Sequence, residues 1–478
     1  WLSRRRKGQR YLFWADEFQK KGGPVKDVAL LSTVEQVDLI SRSEISSREL
    51  TEHCIDRIQR RDGEINAVVT RDFETALINA DAADSAQAKG QVLGRLHGVP
   101  ITVKDALETK GLRSTGGAVE LTDNVPERDA AVVNAVRREG AIVMGKTNLP
   151  RWSGDIQAYN EIFGTTNNPW DLSRGPGGSS GGAAAAVAMG FTSFEIGTDI
   201  GGSIRFPAAF NGIWGHKPSF GVIPTTGYLD HVNGGVNEAD VNVFGPLARS
   251  SQDLELLLEV LKRNSPPWVP QLRSAPRDLK DLKVGAWLDD EFCPVDDEVR
   301  EHLEKVVGEL EKDGVVVDRG ARPALDPEEA AMLGLWLVQR ATSQSTDSDG
   351  PGHRIWLDHH ARREELRLKW AEFFDGYDAL IMPVSFVPPF AHQQEGDFGT
   401  RTLFCNGEER NYIDVVKWTV MVGMAYLPST VPPTGLGTSG LPIGCQVVGP
   451  YGSDKLTIAL AGHIGELMGG YQPPPRAL

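Results

Sequence analysis

Gly197-Thr198-Asp199-Ile200-Gly201-Gly202-Ser203-Ile204-Arg205 is the stretch on which the reading of this chain turns. An apolar run, Phe191–Ile196, leads into it and reads as a buried strand. Two consecutive glycines follow, which reach backbone conformations closed to other residues and let the main chain approach a ligand. Successive N–H groups in such a turn converge into a nest for an anion. A serine placed there, Ser203, can attack a carbonyl while the preceding N–H groups receive the oxyanion. Taken alone, the segment reads first as a simple glycine-rich turn.

Two segments upstream change that balance. Gly177-Gly178-Ser179-Ser180-Gly181-Gly182 is a second glycine-lined serine pair. His97-Gly98-Val99-Pro100-Ile101-Thr102-Val103-Lys104-Asp105 reads as a short buried strand with a lysine at its end. Burial lowers the pKa of a lysine and yields a neutral base. The competing reading of Lys104 is a strand-end residue that snorkels to water.

Around these segments, strands alternate with helices. Helical periodicity covers about 33–61, then 74–89, Ala130–Arg138, about 181–189, 250–263 and 297–313. Ala141–Met144, 282–288, Ala379–Met382 and Ile443–Val448 read as strands, and Ser343–His353 as a mobile loop. The alternation predicts an α/β fold: a single large domain with a mixed twisted β-sheet core covered by helices on both faces. Residues 1–28 read as an N-terminal extension before a domain at 29–478, and the segment at about 325–375 is expected to pack over the site entrance.

Three patterns match a motif without its mechanics. Gly140-Ala141-Ile142-Val143-Met144-Gly145-Lys146-Thr147 fits the P-loop expression, but its middle is apolar and reads as the strand itself. Gly177–Gly181 fits the nucleophile elbow, yet Asp171–Pro176 cannot be the strand an elbow requires. His353 and Asp358-His359-His360 suggest a metal, but adjacent histidines on a helix diverge by about 100°. His216 reads as structural.

The 478 residues carry a net charge of −15, which argues against tracking a phosphate backbone, and no nucleic-acid partner is expected. Cys54, Cys293, Cys405 and Cys445 form no C-x-x-C pair, and a reducing, cytoplasmic compartment is the expectation. No apolar run reaches 18 residues, so no stable membrane insertion is expected. The basic opening Arg4–Lys7, followed by Leu12, Phe13 and Trp14, reads as a solvated arm. The first residue is Trp1, and any targeting segment is expected to lie upstream.

Gly175–Gly182 followed by Gly197–Ala208, with Gly98–Asp105, Gly164-Thr165-Thr166-Asn167-Asn168-Pro169-Trp170-Asp171, Gly245–Ser250 and Leu441–Pro450, resembles the amidase signature family. The likeness runs from about residue 29 to 465 in six ordered segments. It implies a Ser–cis-Ser–Lys triad: Ser203 as nucleophile, Ser179 as bridging serine on a cis peptide bond, and Lys104 as base. Ile200, Gly201, Gly202 and Ser203 would supply the oxyanion N–H groups, with Ser180 in support and Asp199 and Arg205 as structural partners. Arg151 departs from the family, where many relatives carry an acidic or amide residue.

The resemblance implies no metal and no cofactor, and a small-molecule amide as substrate; a homo-oligomer stays open. Trp152, Ile156, Phe163, Phe206 and Phe210 suggest an apolar acyl or aryl pocket, with packing in the core as their other reading. Phe206 stands where the amidotransferase subunits usually have a polar residue. The resemblance is therefore read as closer to the fatty-acid amide and aryl acylamidase type, cleaving an amide C–N bond, with ester or carbamate also open. A glutaminase subunit of a tRNA-dependent amidotransferase and a non-catalytic binding protein are the alternatives.

Overall fold

The structure is a computed structural model that describes residues 27–230, 235–263, 271–275, 278–342 and 352–478. Most of the N-terminal extension and most of the loop expected at Ser343–His353 lie outside the described residues.

A three-stranded sheet carries the lysine. It is built from β1 (Val68–Arg71), β2 (Pro100–Lys104) and β3 (Ile142–Thr147), with β3 in the centre, antiparallel to β1 and parallel to β2. Every residue of β2 and β3 is buried. The main sheet comprises β4 (Glu195–Asp199), β5 (Trp214–Lys217), β6 (Val243–Ala248), β7 (Lys283–Ala286), β8 (Val316–Asp318), β9 (Ala379–Pro383), β10 (Ser429–Val431), β11 (Pro433–Leu436) and β12 (Pro442–Val448). Its order is β8-β7-β9-β12-β10-β5-β6-β4, with β11 on β12. The β8-β7 and β7-β9 pairs are parallel and the rest antiparallel, so the sheet is mixed as expected. β4 is an edge strand, which leaves the turn after it clear of the ladder.

The helix expected over 33–61 is two helices, α1 (Thr33–Ser41) and α2 (Ser47–Ile65). Ser46 and Glu49 explain the break: they form a reciprocal capping box that starts a new helix, a pattern hidden inside the continuous periodicity. α3 (Phe73–Ala88), α4 (Ala131–Arg138), α5 (Gly181–Ala188), α6 (Arg205–Asn211), α7 (Ser251–Leu261) and α8 (Asp297–Lys312) lie close to their expected positions where one was read. α9 (Pro327–Thr342) and α10 (His353–Phe374) lie within the expected 325–375 segment, and α11 (Lys417–Met424) and α12 (Asp454–Leu467) follow.

The strand expected at Phe191–Ile196 is displaced. Phe191–Phe194 is a buried bend, and β4 runs from Glu195 to Asp199, up to the glycine turn itself. Among the described residues, no helix is long and apolar enough to cross a membrane. Cys54, Cys293, Cys405 and Cys445 are free and buried.

Candidate active site

Lys104 ends β2 with its side chain fully buried, so the snorkelling reading fails. Its backbone N–H donates to Glu195 Oε2 at 3.1 Å. Glu195 also accepts from the hydroxyls of Thr102 (2.9 Å) and Thr147 (2.8 Å) and from the Ile196 N–H (2.9 Å), so one carboxyl pins β2 and β3 to β4. Burial pushes Glu195 up to about 7 against those bonds.

The Lys104 amine reaches three hydroxyls: Ser179 Oγ at 2.6 Å, Thr198 Oγ1 at 2.7 Å and Ser180 Oγ at 3.1 Å. Burial lowers its pKa to about 7, opposed by the charges of Asp230, Glu195 and Asp199. A neutral amine keeps two N–H donors and a lone pair, which suits three hydroxyl neighbours when one of them donates to it.

Ser179 follows a cis peptide bond from Gly178 and immediately precedes Ser180 and α5. A Cβ on Gly178 would stand 2.5 Å from the Gln157 N, so only glycine lets the 156–157 backbone back this peptide. Ser203 lies beyond β4, and its carbonyl accepts the Ser180 N–H at 3.2 Å, tying the two glycine-serine loops together. Ser180 Oγ accepts the Thr198 N–H at 3.2 Å. Lys104, Ser179 and Ser180 are completely sealed, whereas Ser203 is 7% exposed.

Asp199 and Arg205 shape the turn that presents Ser203. Arg205 Nε and Nη2 donate to the two Asp199 oxygens at 3.0 and 2.9 Å. Asp199 accepts the Gly202 N–H at 2.9 Å and the Ile204 N–H at 3.2 Å. Burial works against its ionised form, but Arg205 holds its pKa below the usual range. Gly202, expected to offer its N–H to an oxyanion, is thus already bonded to Asp199; Asp199 does not engage the N–H groups of Ile200, Gly201 or Ser203. Gly202 has φ +125°, and a Cβ there would meet the Phe206 ring at 2.3 Å.

That contact places Phe206 in the core beneath the turn, fully buried and edge-on to Phe210 at 6.2 Å. Phe210 and Ile156 are buried as well. Trp152 and Phe163 are half-buried; Trp152 has φ +51°, and the Arg113 guanidinium lies 4.9 Å above the Phe163 ring. Of the five expected pocket residues, only these two keep part of their surface open.

The motif look-alikes resolve structurally. Lys146 is buried, with its amine on Leu107 O (2.5 Å), Thr109 Oγ1 (2.8 Å) and Ser114 Oγ (2.8 Å), so it is fastened inside the protein rather than offered to phosphate. His359 stacks on Trp336 and His360 bonds Arg363 Nη2 at 2.6 Å, so the two rings diverge. Among the described residues, no group of three or more His, Cys, Asp or Glu could hold a metal. His216 is buried between Thr430 and Asp454.

Sequence reading missed Glu195, Thr198, Ser153, Tyr228 and Asp230. A lone carboxylate in an apolar run signals Glu195, since buried acids need partners. Thr198 lies on β4 inside the stretch read as the glycine turn, and Ser153, Tyr228 and Asp230 sit in turns and loops that carry no periodic signal.

The Amidase family model matches residues 49–354 and 344–458. The A subunit of the glutamyl-tRNA(Gln) amidotransferase of Moorella thermoacetica is 34% identical, over 88% of this chain and 93% of that protein. An indoleacetamide hydrolase of Bradyrhizobium diazoefficiens is 31% identical, over 90% and 85%. The solved structure of a bacterial aryl acylamidase of the amidase signature family superposes with a TM-score of 0.79 at 26% identity, covering 94% of this chain and 98% of that one. A lysine amine among serine hydroxyls beside a glycine-turn serine, on a fold and sequence shared from end to end of these relatives, makes the chain a member of the amidase signature family, enzymes that hydrolyse amide C–N bonds.

Proposed function

We propose that the chain is a stand-alone serine hydrolase of hydrophobic or aryl amides that works through an acyl-enzyme on Ser203. The observation that carries the reading is the 2.6 Å bond between the buried Lys104 amine and Ser179, next to a Ser203 that alone of the three is open to a ligand. Neutral Lys104 takes the Ser179 proton as Ser179 takes that of Ser203, and Ser203 Oγ bonds to the substrate carbonyl carbon. The oxyanion is received by the N–H groups of Ile200, Gly201 and Ser203, while Gly202 serves by fixing the turn through Asp199. Ser179 returns the proton to the leaving nitrogen as the C–N bond breaks, and water cleaves the ester by the same relay in reverse.

The half-buried aromatic rings Trp152 and Phe163 favour an aryl or apolar substrate group, in keeping with the names of the indoleacetamide hydrolase and aryl acylamidase relatives. Esters and carbamates with the same group fit the same chemistry. The 34% identity to an amidotransferase subunit supports a second reading, a glutaminase that hands ammonia to a partner.

The test is turnover by the lone protein of p-nitroanilides, a p-nitrophenyl ester, an aryl carbamate and glutamine, with wild type and Ser203→Ala. Anilide turnover that falls by about three orders of magnitude or more in Ser203→Ala supports the hydrolase. Activity on glutamine alone supports the second reading. Turnover that survives in Ser203→Ala rules out the assigned nucleophile.

A further inference from the structure

Behind Lys104, away from Ser179, lies a chain of hydroxyls that the steps above do not use. Lys104 Nζ donates to Thr198 Oγ1 at 2.7 Å, and Thr198 Oγ1 is 3.1 Å from Tyr228 Oη. Tyr228 Oη donates to Ser153 Oγ at 2.8 Å, and the Asp230 carboxyl lies against the Tyr228 and Ser153 hydroxyls. Three separate segments converge here: β4, the 151–153 turn and the loop before β6. Lys104, Thr198, Tyr228 and Asp230 are all buried. Ser153 is held at φ +51°, a conformation that residues other than glycine keep only where their surroundings enforce it.

The bonds fix a direction. Tyr228 gives its proton to Ser153, so its oxygen receives the Thr198 proton, and Thr198 in turn receives an N–H of Lys104. Ser153 keeps its own proton, beside the buried Asp230 carboxyl. Thr198 and Tyr228 then each accept once and donate once, on a line that runs from the amine toward that acid. An amine bound in this way turns its lone pair toward Ser179.

The charges agree with that arrangement. The acids facing Lys104 are Asp230, Glu195 and Asp199, with Asp230 the strongest. Asp199 is paired with Arg205, and Glu195 is held by two threonine hydroxyls and two N–H groups. Asp230 is opposed by Lys104, with Asp105 as a neighbouring like charge and Tyr228 beside it, and burial raises its pKa.

We propose that Asp230, acting through Ser153, Tyr228 and Thr198, is the positioning residue that sets the charge and orientation of the Lys104 amine. This rests on the Ser203–Ser179–Lys104 reading above. Neither Tyr228 nor Asp230 touches the reacting atoms; they decide at what pH the base is neutral and where its lone pair points.

The test is the pH dependence of Ser203 phosphonylation by an aryl fluorophosphonate. The Ser203 O–P bond forms, fluoride leaves and the serine proton passes to Lys104, so the rate reads nucleophile activation without deacylation. In Asp230→Asn the acid limb moves to lower pH by about one unit, because the amine loses its strongest opposing charge. The plateau falls about tenfold, because a weaker base is left. Asp230→Glu restores the limb, and Tyr228→Phe lowers the plateau with substrate KM unchanged.

A folded Asp230→Asn with an unmoved limb overturns the proposal. Should that variant fail to fold, a Tyr228→Phe enzyme with wild-type limb and plateau overturns it equally. Labelling that persists in Ser203→Ala defeats the parent reading instead, so the two failures are distinct.

Discussion

Replacing Arg205 by methionine is the sharpest test of how the turn around Ser203 is held. The side chains of Arg205 and Asp199 are 0% and 1% exposed, with Nη2 and Oδ1 2.9 Å apart. At an effective dielectric of about 20, unit charges at that distance attract by about 6 kcal/mol. Arg205 also donates from Nη1 to Thr419 O at 2.9 Å and Gln446 Oε1 at 3.0 Å, and a methionine in its place leaves both acceptors without that donor. Breaking a buried pair by removing one partner strands the other charge, and the loss expected for Arg205→Met is about 3–5 kcal/mol.

Lys217 modifies that figure. Burial, helped by the charge of Arg205, lowers its pKa to about 7 against the pull of Asp199 and Asp454. Without Arg205, Lys217 holds its proton to higher pH and takes over part of the neutralisation of Asp199. The folded-state pKa of Lys217 lies below its unfolded value, so its burial costs stability that grows as pH falls from the unfolded pKa to the folded one and stays at its full value below. A mutant with a raised Lys217 pKa carries less of that cost once pH falls below the new value. The deficit of Arg205→Met should therefore shrink between about pH 9 and about pH 6. Urea unfolding followed by tryptophan fluorescence and circular dichroism, read where the two probes coincide, measures it. A deficit below about 1 kcal/mol at pH 9, or one that grows as pH falls, would refute the account.

Three further outcomes follow from the same geometry. kcat/KM should rise through about pH 7, where Lys104 loses its proton, and stay level above it; an optimum near pH 5 is incompatible with a lysine base. Lys104→Ala and Ser179→Ala should each lower kcat by about a thousandfold or more, and the double variant should be little worse than either; additive losses in stopped assays would show that the two do not act as one relay. Gly201→Ala should fold with wild-type stability, since its Cβ meets nothing closer than Val420 Cγ1 at 3.8 Å, yet lose turnover because the methyl group enters the site. Gly202→Ala should be destabilised by more than about 2 kcal/mol, from its φ of +125° and the Phe206 ring at 2.3 Å. Equal thermal stability of the two alanine variants would contradict this.

What the sequence revealed and what it hid divide along a physical line. Lys104, Ser179 and Ser203 could be picked out as candidates because each sits in a glycine-bounded or buried-strand context, a local property of a few consecutive residues. The mixed sheet was legible in kind from alternating periodicities, but its order was not, because β4 pairs with β6 and β10 with β5 across long separations that no local pattern records. The aromatic pocket was overread for a related reason. Phe206 follows Ser203 by three residues, and its apolar character fits pocket and core alike; only the helical turn of α6, which swings its ring under Gly202, decides for the core.

The glycine turn itself illustrates how tertiary context assigns roles that local reading leaves equal. Four consecutive N–H groups, from Ile200 to Ser203, are equivalent donors in the sequence. In the fold one of them, on Gly202, bonds Asp199, whose carboxylate is ionised because Arg205 lies against it, and Arg205 is steered there by Thr419 on α11 and Gln446 on β12. Thr419 Oγ1 also bonds the Gly201 carbonyl at 2.6 Å, which fixes the peptide whose N–H is the Gly202 donor. Elements more than two hundred residues away thus determine which donor of the turn is taken up by Asp199. An isolated nine-residue peptide of this sequence has no means of doing so, and the chemistry read from Ser203 depends on the whole sheet behind it.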